Sequence, residues 1–320
     1  MAEDNSNEAP ATASSAVAGL DLGGKVFVVT GGYSGLGAAT SKALASAGAT
    51  VVLAGRNKAS QAQFAEELQT ASPNGKATVD ADEVVDLGDL ASVAAFARHL
   101  RARYEQIDCL INNAGVMNTP PGMTKDGFEI QFGTNVIGHH LLAKELVGQT
   151  ARQVWLSSAG HSLIGDPPGN HDLVKAPRID IDASRKVDEK TYDSWHRYQQ
   201  SKLGAILLAK QFAVEYPHLK TCAVHPGVVR TNLSRHMSLW LMLRYLVNGL
   251  RGRSQRIVGP DEGARTQTLC AVMPEADLQN GAYYADCVVT QPAAAAENTA
   301  DAKQLYDFCE EATRPFQSAL

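Results

Sequence analysis

Tyr198 and Lys202 bring a phenol and an amine within one helical turn of each other. Residues four apart share a helix face, so the ammonium stands beside the hydroxyl. That charge favours phenolate and lowers a pKa that is about 10 in free tyrosine. A phenol tuned this way can give up and take back a proton near neutral pH. Taken alone, Y-x-x-x-K is a weak signal, because chance and surface pairs supply it often. Its weight depends on what the rest of the chain sets around it.

Two further polar residues are candidates by their place in the elements. Ser158 follows Gln153–Leu156, which reads as a strand, so it sits at a strand end. Asn135 lies within Phe128–Val147, which reads as one long helix. Asparagine inside a helix is mildly unfavourable and tends to be there for a hydrogen bond. His139 and His140 follow it. Adjacent helical residues diverge and cannot ligate one metal together, so both are read as packing residues, and no metal site is expected anywhere.

The element that must position these groups is Lys25–Gly37, KVFVVTGGYSGLG. Val26–Val29 is a short, mostly β-branched run of the kind that forms a buried strand. It breaks at Thr30-Gly31-Gly32 and resumes through Gly35-Leu36-Gly37 into the Ala-rich Ala38–Ala47, of high helix propensity. Glycines let a backbone approach a ligand with no Cβ in the way. The following helix aims its N–H groups and positive dipole end at a phosphate. A glycine loop is common, but between strand and helix it points to a nucleotide pyrophosphate.

Thr50–Ala54 is a second strand, ending at Gly55-Arg56-Asn57, where a dinucleotide fold meets the adenosine ribose. A carboxylate there would hold both ribose hydroxyls. Gly55 offers no side chain, and Arg56 offers a guanidinium fork suited to phosphate. NADP(H) is therefore favoured over NAD(H), the alternative being a solvated arginine at a strand end. Val84-Val85-Asp86-Leu87 is read as the end of a third strand, with Asp89 capping the helix after it.

The T-G-x-x-x-G-x-G spacing from Thr30, N-N-A-G at Asn112–Gly115, the helical Asn135, the strand-end Ser158 and the Tyr198/Lys202 pair fall in order along the chain. Together they resemble the short-chain dehydrogenase/reductase family over about residues 22–290. His225–Thr231 (HPGVVRT) and Asp261–Thr266 (DEGART) are similar to its retinol-dehydrogenase-like and WW-domain oxidoreductase branch. The resemblance implies an α/β fold: a single doubly wound Rossmann domain, a parallel sheet of about seven strands with helices on both faces. It implies an NADP(H)-dependent oxidoreductase moving hydride between nicotinamide and the carbonyl or alcohol carbon of a small, lipophilic substrate, retinoid-, steroid- or fatty-aldehyde-like.

It also implies roles. Tyr198 would be general acid in reduction and general base in oxidation, with Ser158 bonding the same substrate oxygen. Lys202 would hold the nicotinamide ribose as well, and Asn135 would connect it to water. Cofactor contacts would come from Thr30, Gly31, Tyr33, Ser34, Gly35, Leu36 and Gly37, and from Arg56 and Asn57. Asp86 and Leu87 would touch the adenine, a capping or turn aspartate being nearly as good a reading. Asn113, Ala114 and Gly115 would lie along the nicotinamide side, with Tyr198 and Lys202. Pro226, Gly227, Val229 and Thr231 would close over the carboxamide and pyrophosphate. Another class stays open: a catalytically silent NADP(H)-binding scaffold or redox sensor acting through protein partners. The epimerase-type T-G-x-x-G-x-x-G is disfavoured, since Ser34 stands where it wants glycine.

Residues 1–19, acidic and without an apolar core or arginine, are expected to be a disordered tail and neither a signal nor a transit peptide. Residues 20–291 would form the oxidoreductase domain, with an inserted loop at 165–196 read as a flap or surface excursion. A substrate lid is placed at 232–258. Residues 292–320 would be a linker and C-terminal helix. Within the lid, Met237–Leu250 is apolar nearly all round and has arginines about it. It reads as a cover over a greasy substrate, as an interfacial helix giving peripheral membrane contact, or as a core or dimer helix. A homodimer is not readable. Net charge −5 argues against nucleic acid. Five scattered cysteines without C-x-x-C fit reduced thiols and a cytoplasmic location. No run of about twenty apolar residues is present to span a bilayer.

Overall fold

Side chains alternate across each strand, and that alternation sorts the core into two halves. In β1 (Val26–Thr30), Val28 belongs to one cluster of buried residues, Phe27 and Val29 to the other. The same division holds in β2 (Thr50–Ala54), where Val52 lies opposite Val51 and Leu53. A sheet buried on both faces needs helices on both, which is the doubly wound solution. The computed structural model describes residues 9–71, 78–163, 178–229 and 257–318.

After β3 (Thr78–Asp80) come β4 (Cys109–Asn112), β5 (Arg152–Leu156), β6 (Lys220–His225), β7 (Val228–Val229), β8 (Ile257–Val258), β9 (Ala282–Ala285) and β10 (Val288–Val289). The main sheet has eight strands in the order β10-β9-β6-β5-β4-β1-β2-β3. All its pairings are parallel except β10 on β9. The extra strand beyond the expected seven is a short hairpin return. Its turn places Asp286 and Cys287 at φ of 50° and 66°, left-handed positions that sequence pattern does not signal. The reversal of strand order falls between β1 and β4, and a ligand crevice in such a sheet opens there.

On one face lie the helices Leu90–Arg103, Gly138–Glu145, Ser194–Glu215 and Thr299–Thr313; on the other lie Gly35–Ser46, Lys58–Ala71 and Arg265–Val272. The long helix expected over Phe128–Val147 is shorter and not uniform: it consists of Ile130–Phe132, a π-turn at Gly133–Ile137 that holds Asn135, then Gly138–Glu145. A π-turn widens a helix locally and often marks a functional site. The third strand ends at Asp80, earlier than expected, and Val84–Leu87 continue beside β2 as a loop, with Val85 N–H bonding Gly55 O at 2.9 Å.

Several expected boundaries move. The tail is not wholly disordered, since Ala13–Ala16 form a helical turn capped by Thr12, with Ala13 and Val17 buried. It packs on Gly35–Ser46 and Arg265–Val272, whose apolar residues give it a seat. Thr299–Thr313 is part of the domain core, with Leu305, Tyr306 and Cys309 buried against Ser194–Glu215. Nor does the later half of the insertion stand away as a flap. Arg178 pairs with Asp301, Gln200 bonds both Asp180 N–H and Arg178 O, and Glu129 N–H bonds Ser184 O at 2.6 Å. The rest of that insertion, most of the proposed lid and all of Met237–Leu250 lie outside the described residues. Ile257–Val258, at the lid's end, form β8 and pair in parallel with β7. No helix among the described residues is long and apolar enough to cross a membrane. All five cysteines are buried and none is in a disulfide.

Placing a carboxylate at Val17 would desolvate it against apolar neighbours, at a cost of about 1–3 kcal/mol. Val17→Asp should therefore lower the thermal melting temperature by several degrees. An unchanged melting curve would mean that this turn lies in water.

Candidate active site

β1 and β4 are neighbours, so the two loops leaving them meet. Thr30 Oγ1 accepts the N–H groups of Asn113 and Ala114 at 2.8 and 2.9 Å, and Asn113 Nδ2 donates to Thr30 O at 2.7 Å. Gly31 takes φ +65°, the left-handed region that favours glycine. At Gly37 the constraint is space: a Cβ there would lie 2.3 Å from Gly31 O and 2.6 Å from Asn113 Nδ2. Ser34 precedes the Gly35–Ser46 helix without capping it through its side chain, which leaves the first N–H groups for a ligand.

Tyr33 reaches across to β2. Its hydroxyl accepts the Asn57 N–H at 3.3 Å, and its ring covers Gly55, where a Cβ would come within 2.3 Å of it. Arg56 is exposed and lines a cleft of about 350 Å³ with Asp86, Val116, Lys125 and Thr134. One Asp86 oxygen holds Gly88 N–H at 2.9 Å, so this residue does serve a turn while standing on the cleft wall. Leu87 is buried in the core. Leu36 and Val229 both lie against Gly263, which brings the turn at Pro226-Gly227 beside the glycine loop. Thr231 lies outside the described residues.

The other half of the site is built on Ser194–Glu215, whose first turn is capped by Asp193 accepting from Trp195 and His196 N–H. Tyr198 and Lys202 both project into the interior, each 5% exposed, with Lys202 Nζ 5.7 Å from the Tyr198 ring centre. Nζ donates to Leu156 O at 2.9 Å, and Ser157 Oγ donates to Lys202 O at 2.7 Å, so helix and β5 are stitched together at this point. Burial pushes the Lys202 pKa down to about 8. The Asn135 side-chain amide accepts the Val116 N–H through Oδ1 and donates through Nδ2 to Val116 O and to Ser201 Oγ, the last at 3.0 Å. Ser158 Oγ accepts Gly160 N–H at 3.1 Å. A methyl on Gly160 would lie 3.5 Å from Ser158 Oγ and 3.6 Å from Tyr198 Cε1, so the serine hydroxyl and the tyrosine ring edge flank one spot. Likewise a methyl on Gly115 would lie 3.2 Å from Asn135 Oδ1 and 3.6 Å from Lys202 Nζ.

Sequence reasoning missed several supporting side chains. Trp195 stacks on Tyr198 with centroids 5.6 Å apart, a contact that i, i+3 spacing could have flagged. Ser201 links Asn135 to the Tyr198 carbonyl. His161 donates to Ser158 O and accepts Ala293 N–H, and burial keeps its pKa below the usual imidazole value. Gln267, from the opposite helical layer, reaches Asn113 and Thr40. Nothing local in the sequence announces the last two.

A doubly wound sheet with a glycine loop at its reversal point, facing a buried phenol–ammonium pair, defines a Rossmann-type nucleotide-binding class. Within it, the chain belongs to the short-chain dehydrogenase family, whose "short chain dehydrogenase" model matches residues 25–155. Human retinol dehydrogenase 12 is 36% identical over 295 residues, covering 90% of this chain and 86% of that protein. A probable oxidoreductase of Streptomyces antibioticus is 34% identical, covering 83% and 86%. The crystal structure of an uncharacterised Mycobacterium paratuberculosis protein superposes with a TM-score of 0.69 at 30% identity, covering 93% and 97%. The chain is thus an oxidoreductase of the retinol-dehydrogenase-like branch, acting on CH–OH groups of small molecules with a nicotinamide cofactor.

Two outcomes follow from this geometry. Gly37→Ala should abolish nucleotide binding in a fluorescence titration, because the clash is with backbone. In carbonyl reduction, kcat/KM should fall as pH rises through about 8, since Lys202 then loses the charge that supports its neighbour. Lys202→Arg, which stays charged, should lack that step in whatever activity it keeps.

Proposed function

We propose that this protein is an NADP(H)-dependent oxidoreductase interconverting the alcohol and carbonyl forms of a small lipophilic molecule, retinoid-, steroid- or fatty-aldehyde-like. The observation that carries the reading is Ser158 Oγ beside the Tyr198 ring edge, with the buried Lys202 ammonium over the same ring. The relatives named as retinol dehydrogenases support the lipophilic substrate.

The residues present fit a dinucleotide. Gly31 and Gly37 let the loop pack closely on Asn113 and Ala114, Ser34 leaves the first helical N–H groups without a side-chain cap, Gly115 leaves space between Asn135 and Lys202, and Arg56 stands exposed where a 2′-phosphate would be met. Tyr33, Ser34, Leu36, Asn57, Asp86, Asn113, Ala114 and the Pro226–Val229 turn would complete the holding surface, whereas Thr30 and Leu87, which the sequence also suggested as contacts, are buried and support it from behind. When bound, the nicotinamide supplies or accepts the hydride. Every other task falls to side chains of the chain itself. Tyr198 Oη delivers a proton to the carbonyl oxygen in reduction and withdraws it from the alcohol in oxidation. Ser158 Oγ donates to the same oxygen as negative charge develops on it. Lys202 Nζ favours the phenolate, and its burial strengthens that influence because water does not screen it. Asn135 fixes the chain opposite Nζ through Val116 and Ser201.

Tyr198→Phe should lower turnover by at least about 10²-fold while leaving NADPH affinity nearly unchanged. Near-normal turnover in that variant would end the mechanism. Arg56→Ala should weaken NADPH by about 1.5–3 kcal/mol and leave NADH almost untouched. Equal losses for the two nucleotides, measured by titration, would refute the phosphate assignment.

A further inference from the structure

We infer that His139 is a positioning residue: a neutral imidazole, carrying its proton on Nδ1, that sets the Thr30 hydroxyl and couples the glycine loop to the π-turn of Asn135. The inference rests on the nucleotide-binding reading above. His139 is 2% exposed; its Nδ1 lies 3.1 Å from Asn135 O and its Nε2 2.9 Å from Thr30 Oγ1. A carbonyl oxygen only accepts, so Nδ1 must hold the proton and Nε2 must present a lone pair. Thr30 therefore donates its one hydroxyl proton to Nε2. Both remaining lone pairs of Oγ1 are then aimed at the N–H groups of Asn113 and Ala114, which it accepts. Every donor and acceptor in this group is satisfied at once.

The alternatives are each poorer. Without an acceptor at Nε2, the hydroxyl proton is left with Ile111 O at 3.3 Å, a longer and weaker bond than the 2.9 Å contact to the ring. With both ring nitrogens protonated, a third donor would press on an oxygen that has two lone pairs. Desolvation opposes that cation too, and Lys202, the charged group that bears on the ring, adds to the opposition; the pKa is pushed down to about 4. An apolar side chain of similar size would fill the space but leave Thr30 and Asn135 O without this partner. The ring thus joins two halves of the site, because Thr30 holds the Asn113-Ala114 turn and Asn135 holds Val116 and Ser201.

A double-mutant cycle tests the link, using NADPH as the probe and its dissociation constant as the readout. His139→Leu should weaken NADPH about tenfold in the wild-type background, yet less than about twofold when Thr30→Val has already removed the hydroxyl. His139→Gln, whose amide oxygen can stand in for the Nε2 acceptor, should stay within about threefold of wild type. His139→Asn, too short to reach Thr30, should resemble the leucine variant. This Gln–Asn comparison decides the matter if His139→Leu fails to fold. Equal losses in both backgrounds, or equal behaviour of Gln and Asn, would overturn the inference while leaving the cofactor reading intact. A wild-type protein that binds neither NADPH nor NADH overturns both.

Discussion

Lys202 carries an ammonium into a region that water does not reach, and the chain around it is arranged to make that tolerable. An uncompensated buried charge costs several kcal/mol, so such a group persists only where hydrogen bonds and nearby dipoles support it. Here Leu156 O, at the end of a central strand, accepts a hydrogen bond from it. Strand and helix are fixed to each other at the same level by Ser157 bonding Lys202 O. The parallel sheet thereby does more than form a core. Its carboxyl ends supply carbonyls at the depth where the helix brings in a charge.

The same strand ends explain why the two halves of the site meet. β1 and β4 lie side by side although nearly eighty residues separate them in sequence, and the reversal of strand order between them opens the crevice. Thr30 laces the two loops together, Asn135 holds the second loop to the Tyr198 helix through Ser201, and His139 lies between these two connections. The π-turn at Gly133–Ile137 makes this geometry available, since it lets one helix serve both the core and the crevice. Polar groups are buried along the whole line, and each finds a partner there, which is what allows a network of this kind to be rigid.

Segments beyond the nucleotide-binding half act as supports for the same site. Thr299–Thr313 closes the core over the helix that bears Tyr198 and Lys202. The part of the insertion from residue 178 onward is pinned to that helix by Gln200 and to the start of the π-turn region by Glu129, whose carboxylate also accepts from Tyr192. Trp195 then lays an aromatic face against the phenol. The position of Tyr198 is therefore set from several sides.

The sequence by itself determined the α/β class and the family, and singled out the glycine loop and, through the resemblance, Asn135, Ser158, Tyr198 and Lys202 as candidates, for a physical reason: each signal depends on short-range features. A strand–glycine–helix transition, an i, i+4 pair and an asparagine out of place in a helix are all visible within a few residues. Tertiary structure decided what depends on residues far apart in the chain. It put Ala13–Ala16 and Thr299–Thr313 into the core, because burial is conferred by elements outside the local window, Arg265–Val272 for the first and Ser194–Glu215 for the second. It docked the second half of the insertion, whose polar composition resembles a free loop until Glu129, Gln200 and Asp301 are brought against it. It also turned His139 from a filler of space into a donor and acceptor, because only the packed sheet brings Thr30 within reach of its ring.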